Sequence, residues 1–172
     1  VPEGSYATNA TDGVARTKEL KELVKTFHQN GLSLVMDVVY NHTMLTEDSY
    51  FEQLVPGYYY RQTTDGKFSN ATACGNETAS ERPMVRKFML ESLTYWVKEY
   101  HVDGFRFDLM GVHDIATMNL IARELRKIKP DILLYGEGWT AGASPLPDSL
   151  RALKKYAYKL DNIAVFSDDI RD

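Results

Sequence analysis

A chain of 172 residues with 44% hydrophobic content fits one globular domain with a buried core. Its 20 Lys+Arg against 24 Asp+Glu are spread along the chain without a basic block, which argues against a nucleic-acid backbone as partner. No apolar run approaches a bilayer span, residues 1 to 15 lack a signal-peptide pattern, and the lone Cys74 excludes both an intrachain disulfide and a thiolate metal site. The compartment is left open, because the four Asn-x-Ser/Thr triplets, at Asn9, Asn41, Asn70 and Asn76, are a pattern that also arises by chance.

Residues 1 to 13 read as a loop rich in Gly, Pro, Ser, Thr and Asn. From Arg16 to Gln29 the apolar Leu20, Leu23, Val24 and Phe27 recur at helical spacing, and Asn30-Gly31 supplies the stop. The run Leu32-Ser-Leu-Val-Met-Asp-Val-Val-Tyr40 predicts a parallel strand covered on both sides, ending in Asn41-His42-Thr43. Residues 44 to 82 form a long irregular stretch, in which Tyr58-Tyr59-Tyr60 either stack on a sugar or cap the core. Pro83 opens a helix to about Tyr100, with Val85, Phe88, Met89, Trp96 and Val97 on its buried stripe.

His-Val-Asp-Gly-Phe-Arg-Phe-Asp-Leu-Met-Gly, residues 101 to 111, predicts the central strand. Side chains alternate across a strand, so Phe105 and Phe107 face covering helices while Gly104, Arg106 and Asp108 share the other side. Asp108, a carboxylate at a strand end beside an arginine, is a candidate for catalysis; the other reading is an Arg-Asp pair that only sets register. A third helix carries Ile115, Met118, Ala122 and Leu125 and ends near Lys129-Pro130. Then comes a strand, Ile132 to Tyr135, leading into Gly136-Glu137-Gly138-Trp139, a weaker helix at about 149 to 157, and a last apolar run, Ile163 to Phe166, followed by Ser167-Asp168-Asp169.

Helices alternating with strands predict an α/β fold with parallel strands, and both a doubly wound sheet and a (β/α)-barrel are compatible with the pattern. Polar clusters at three successive strand ends, Asp37/Asn41/His42, Arg106/Asp108 and Glu137/Trp139, favour the barrel, whose sites draw on many loops. Two carboxylates on neighbouring strand ends suit retaining glycoside hydrolysis, which needs them about 5–5.5 Å apart. Strands spaced by about 4.8 Å can meet that distance. Arg106 would keep Asp108 ionised as nucleophile, while Glu137, desolvated between two glycines and beside Trp139, would hold a proton as the acid. Trp139 offers either a stacking surface for sugar or a structural anchor. His42 has no metal-ligand spacing to another histidine and is assigned to donating to a sugar hydroxyl; His28, His101 and His113 read as ordinary structure. Asp37 is expected to be buried and to pair with Arg106.

Asp37-Val-Val-Tyr-Asn-His42, Gly104-Phe-Arg-Phe-Asp108 and Gly136-Glu137, in this order, resemble the first three conserved regions of the α-amylase superfamily of glycoside hydrolases. Within it, Glu81-Arg-Pro-Met-Val-Arg86, Asp103-Gly-Phe-Arg-Phe-Asp-Leu-Met-Gly111, Tyr135-Gly-Glu-Gly-Trp139 and Phe166-Ser-Asp-Asp-Ile-Arg171 are similar to type I pullulanases, which cut α-1,6 links in pullulan and branched starch. The resemblance covers essentially the whole chain. It implies part of a (β/α)8 TIM barrel, roughly strands 3 to 6, so that residues 1 to 172 are a fragment of a single catalytic domain. It also implies Asp108 as nucleophile, Glu137 as acid/base, Arg106 beside the nucleophile, His42 as sugar ligand, Asn41 and Asp37 as supports, and Met110 and Trp139 as groove positions. The partner is an α-glucan, together with the remainder of the parent chain. No cofactor is required, although some superfamily members place calcium near the asparagine matched by Asn41. The superfamily's third carboxylate follows strand six, beyond Asp172, and the Tyr-Asn-Trp-Gly-Tyr segment of type I pullulanases would precede Val1; the isolated chain is therefore expected to be inactive. The alternatives are an α-1,4-acting neopullulanase or amylase relative and a non-catalytic glucan-binding barrel.

Overall fold

In the computed structural model, residues 2–167 and 170 are described. Four parallel strands form one sheet in chain order: β1 (Val35–Val38), β2 (Gly104–Phe107), β3 (Leu133–Gly136) and β4 (Ala164–Val165). Helix α1 (Gly13–Gln29) precedes β1, a short α2 (Tyr50–Leu54) and the long α3 (Pro83–Tyr100) join β1 to β2, and α4 (Ile115–Ile128) joins β2 to β3. Asp168, Asp169 and Arg171, which belong to two of the quoted stretches, lie outside the described residues.

The register explains the layering. Val35, Gly104 and Leu133 form one cross-strand row, and Asp37, Arg106 and Tyr135 the next. These rows share a face, because strand residues two apart point the same way. The opposite face presents Val38, Phe105, Phe107 and Leu134, all buried, against Met89, Leu93 and Val97 of α3 and Met118, Ile121 and Leu125 of α4. Parallel strands need crossover connections, and helices that all cross on one side cover one side only. The expectation that the Leu32–Tyr40 run is covered on both sides is not met among the described residues: Asp37 on the other face is exposed, as is Leu133 of β3.

Local chemistry sets the helix ends. Asp12 caps α1 by accepting from the Val14 amide, so that helix starts three residues before the apolar period does. Only Val24 of its expected stripe is fully buried, while Leu23 is about half exposed. Pro83 opens α3, whose buried stripe is Val85, Met89, Leu93, Val97 and Tyr100. Phe88 is instead 44% exposed, edge-on to Tyr40 and Phe51, and Trp96 is half-buried. Asp114 caps α4 through the Thr117 amide.

The weaker helix at 149 to 157 does not form. Two 3₁₀ turns, Asp148–Leu150 and Lys154–Lys159, flank a segment pulled straight by the Ala152 amide on the His113 carbonyl and by the bridge between Asp114 and Arg151. Residues 44 to 82 are folded rather than loose, with bridges joining Tyr60 to Thr78 and Gln62 to Phe68. Tyr60 is fully buried edge-on to Phe68, which places it in the core rather than on a sugar face. Asn41 and Asn76 are also fully buried, so their triplets are closed to glycosylation in the folded chain.

Candidate active site

The carboxyl ends of β1, β2 and β3 carry one charge cluster with Arg106 at its centre. Register places Asp37 directly beside Arg106, and Arg106 Nη1 donates to Asp37 Oδ1 at 3.0 Å and to Asp108 Oδ1 at 2.9 Å. Its Nη2 donates to Glu137 Oε1 at 2.6 Å. One planar guanidinium thus ties together carboxylates from three strands, a task its fork of donors suits and an ammonium would not. Partial burial alone would lower the Arg106 pKa, but Asp108, Asp37 and Glu137 hold it above its ordinary value. Asp37 meets Arg106 as expected, but its side chain is 67% exposed rather than buried, because it lies on the open face of the sheet's first strand.

Beyond the strands, further backbone bonds fix the two neighbouring carboxylates. Asp108 N donates to Val38 O and Glu137 N to Phe107 O, continuing the ladder one step past each strand end. Asn41 Nδ2 donates to Asp108 Oδ2 at 2.9 Å and to the Asp108 carbonyl at 2.8 Å, so both carboxylate oxygens of Asp108 are tethered. With Nδ2 so engaged, Asn41 Oδ1 accepts from His42 Nδ1 at 2.6 Å. A neutral His42 with its proton on Nδ1 presents Nε2 as an acceptor. The ring nitrogen left for a sugar hydroxyl is Nε2, which accepts in this tautomer where donation was expected.

Glu137 also has both oxygens engaged, Oε1 by Arg106 and Oε2 by the Leu109 amide at 2.9 Å. Its side chain is 17% exposed, yet it meets two donors rather than an apolar wall. The Leu109 amide was missed from the sequence because its direction depends on a left-handed backbone, φ 39° and ψ 48°, which a leucine pattern does not announce.

That same backbone reverses the side-chain alternation. Continued parity would put Met110 beside Asp108, but Met110 is fully buried in the core. Met110 therefore does not line a groove, and that expectation is corrected. Close packing of the loops depends on missing side chains: a Cβ at Gly111 would lie 2.5 Å from the Trp139 carbonyl oxygen, and one at Gly136 2.6 Å from that of Phe107. Trp139 is half-buried, its ring 6.3 Å from Phe166, and Phe166 lies 5.8 Å from the Arg106 guanidinium. Phe166 is a further neighbour of the cluster, legible in the sequence as the end of an apolar run and the start of a quoted stretch but not as a site residue.

Among the described residues, no group of three or more His, Cys, Asp and Glu side chains could hold a metal ion. The centre of the carboxylate cluster is taken by a guanidinium, and both polar atoms of the Asn41 amide are engaged. Among the described residues, no helix is long and apolar enough to cross a membrane.

No family model matches the chain. Individual proteins do. A pullulanase of Bacillus subtilis (strain 168) is 48% identical over 171 residues, covering 99% of this chain and 24% of that protein. Pullulanase 1, chloroplastic, of Arabidopsis thaliana is 38% identical over 186 residues, 100% of this chain and 19% of that protein. Among solved structures, the pullulanase of Paenibacillus barengoltzii in complex with maltohexaose and α-cyclodextrin superposes with a TM-score of 0.96 at 53% identity, over 100% of this chain and 26% of that one. The pullulanase of Anoxybacillus sp. LM18-11 complexed with maltotetraose gives 0.96 at 51% identity, over 99% and 25%. The chain thus spans about a quarter or less of the length of the relatives it matches, and it matches them from end to end. By sequence and by structure the chain is homologous to one part of these pullulanases.

Proposed function

We propose that the chain supplies the nucleophile and the acid/base of a retaining glycoside hydrolase that debranches α-1,6 links in pullulan and starch- or glycogen-derived glucans. The observation that carries this is the Arg106 cluster: two carboxylates on adjacent strand ends, Asp108 and Glu137, held on neighbouring nitrogens of one guanidinium. That arrangement is compatible with the short carboxylate separation a retaining mechanism needs, about 5–5.5 Å. The relatives bound to maltohexaose and maltotetraose support an α-glucan as the ligand class.

In the proposed reaction, Asp108 attacks the anomeric carbon and forms a glycosyl ester while Glu137 protonates the departing oxygen. Glu137 then takes a proton from water, which attacks the same carbon and frees Asp108. Arg106 and Asn41 hold the two oxygens of Asp108 in place, so that no reorientation is needed at the moment of attack. His42 Nε2 accepts from a sugar hydroxyl, and Trp139 with Phe166 offers aromatic faces beside the cluster.

The four strands follow one another without reversal of order and carry their helices on one side, which supports part of a (β/α)8 barrel with the Asp37–Arg106 face turned inward. On this view the 172 residues belong to one catalytic domain and work with the remainder of a parent chain. Alone, they leave the charged face open to bulk water, where its electrostatics are weakened, and no turnover is expected.

The test is the product pattern from pullulan, using the protein encoded by the complete reading frame with Asp108→Asn as control. Maltotriose that disappears in the variant is the expected result. Panose would assign the protein to α-1,4-acting relatives, no cleavage would favour a glucan-binding barrel, and robust cleavage by the isolated 172 residues would overturn the expectation of inactivity.

A further inference from the structure

The long segment between β1 and α3 holds a buried cation that the mechanism above does not use. Arg61 is 3% exposed, and its backbone is fixed on both sides: its amide donates to Glu77 O and its carbonyl accepts from Ser69 N. Its guanidinium meets Glu81 through Nε and through Nη2, the latter at 2.8 Å, and Glu77 Oε2 through Nη1 at 3.0 Å. The Nη1 group also donates to the carbonyl of Val112 at 2.8 Å. Two carboxylates from the same segment thus orient the fork, and its remaining reach extends to the turn that follows Asp108.

That turn is short and continuously bonded. Val112 N donates to Leu109 O at 2.9 Å, Gly111 N to Glu137 O at 2.9 Å, and Leu109 N to Glu137 Oε2 at 2.9 Å. Leu109 sits in the left-handed region, which a side-chain-bearing residue adopts only when its surroundings impose it. The turn is held at its start by Glu137 and at its end by Arg61. Neither tether comes from the turn itself.

We propose that Arg61 is a positioning residue for the acid/base: by gripping the Val112 carbonyl it holds Leu109 left-handed, so that the Leu109 amide stays aimed at Glu137. This rests on the glycoside hydrolase reading above. Arg61 touches neither substrate nor the reacting carboxylates, and acts only through the turn. Releasing the grip lets Leu109 relax, its amide swings away, and Glu137 is left with Arg106 alone to set its orientation.

The variant to make is Arg61→Lys in the full-length protein. It keeps a cation between Glu77 and Glu81 but lacks the second arm that reaches Val112, and it avoids stranding two carboxylates without a partner. The expected result is a kcat for pullulan lowered about tenfold with KM little changed, since a displaced catalytic group costs rate rather than binding. Amide hydrogen exchange across residues 108–113 should quicken at the same time, a readout that needs no turnover. Leu109→Gly supplies the decisive arm, because glycine adopts the left-handed conformation freely. In the double variant it should recover most of the lost kcat, a coupling that independent structural damage would not produce.

Unchanged kcat and exchange in Arg61→Lys, or simple additivity with Leu109→Gly, would overturn the proposal. An inactive wild-type protein would remove the hydrolase reading and Arg61's catalytic role with it. The exchange arm would then decide separately whether Arg61 holds the turn.

Discussion

The two ends of the sheet are built from the same kinds of group in opposite proportion. At the amino end, one carboxylate, Asp103, is surrounded by donors: the Leu34 amide at 2.7 Å, His28 Nε2 at 2.8 Å and Lys129 Nζ at 3.2 Å. At the carboxyl end one cation, Arg106, is surrounded by three carboxylates. The first cluster stitches α1, β1, β2 and the end of α4 together, with its carboxylate saturated. The second holds more negative charge than its cation balances, an arrangement that costs stability and so points to another use for the carboxylates. The difference separates a structural ion cluster from a reactive one by stoichiometry rather than by residue type.

The sharpest way to break the comparison is at the carboxyl end. Asp108→Asn keeps the shape and removes the proposed nucleophile, so kcat should fall by at least about 10⁴-fold. Because it also relieves surplus negative charge, thermal stability should hold or rise. A variant that is both inactive and unstable would mean that Asp108 is there for register. Next comes Arg106→Lys, which keeps the charge but cannot span three carboxylates at once. A loss of about 10²-fold in kcat is expected, comparable to removing one preorganised donor. Activity near wild type would show that charge alone suffices.

Asp103→Asn tests the other end and should do the reverse, costing stability and leaving kcat unchanged. Hydrogen bonds to a charged group are worth about 1.5–3 kcal/mol each, so a loss of unfolding free energy of that order, measured by denaturant titration, is expected at neutral pH. Burial pushes the Asp103 carboxyl up, but the Leu34 amide, His28 and Lys129 outweigh it and hold its pKa below the ordinary value. A carboxyl depressed on folding stabilises above its unfolded pKa, about 3.9, and loses that contribution as pH falls through the lower folded value. Wild type and variant should therefore differ at pH 7 and converge only in strong acid.

How much of this was legible in the sequence follows from the range of the signals. Period-two alternation reaches across four residues, and it separated Phe105 and Phe107 from Arg106 correctly. Alternation fails where the backbone leaves the strand: the left-handed Leu109 turned Met110 inward, and no local pattern marks that residue. The one-sided covering of the sheet was missed for a related reason. An apolar run such as Leu32 to Tyr40 records hydrophobicity but not which neighbours supply the cover. Arg61 lay further out of reach, since its partners Glu77, Glu81 and Val112 are 16, 20 and 51 residues away and share no period with it. The bonds around Asp108 and Glu137 depend on register between strands, and only the residue types at the strand ends hinted at them.

The smallest effect at neutral pH is expected at His113, which belongs to neither cluster and makes their acid responses separable. It is fully buried, and among the described residues neither ring nitrogen has a hydrogen-bond partner. Burial, and secondarily the Arg61 charge, lower its pKa to about 3, against the opposing pull of Asp114 and Asp108. A histidine buried neutral has the opposite sign from one that gains a partner. Between about pH 6.5 and 3 the unfolded chain takes up a proton that the folded chain refuses, so stability falls with pH by about 1.4 kcal/mol per unit. His113→Met replaces the ring with an apolar chain of similar size and should change stability at pH 7 by less than about 1.5 kcal/mol. Its acid branch should then be flatter from pH 6.5 downward, whereas Asp103→Asn lowers stability at neutral pH and changes the slope only near and below about pH 4. If instead His113→Met unfolds the protein at pH 7, the ring holds a bond that its unpartnered nitrogens do not reveal. If the slope survives the substitution, the acid sensitivity belongs to the charged clusters at the two ends of the sheet.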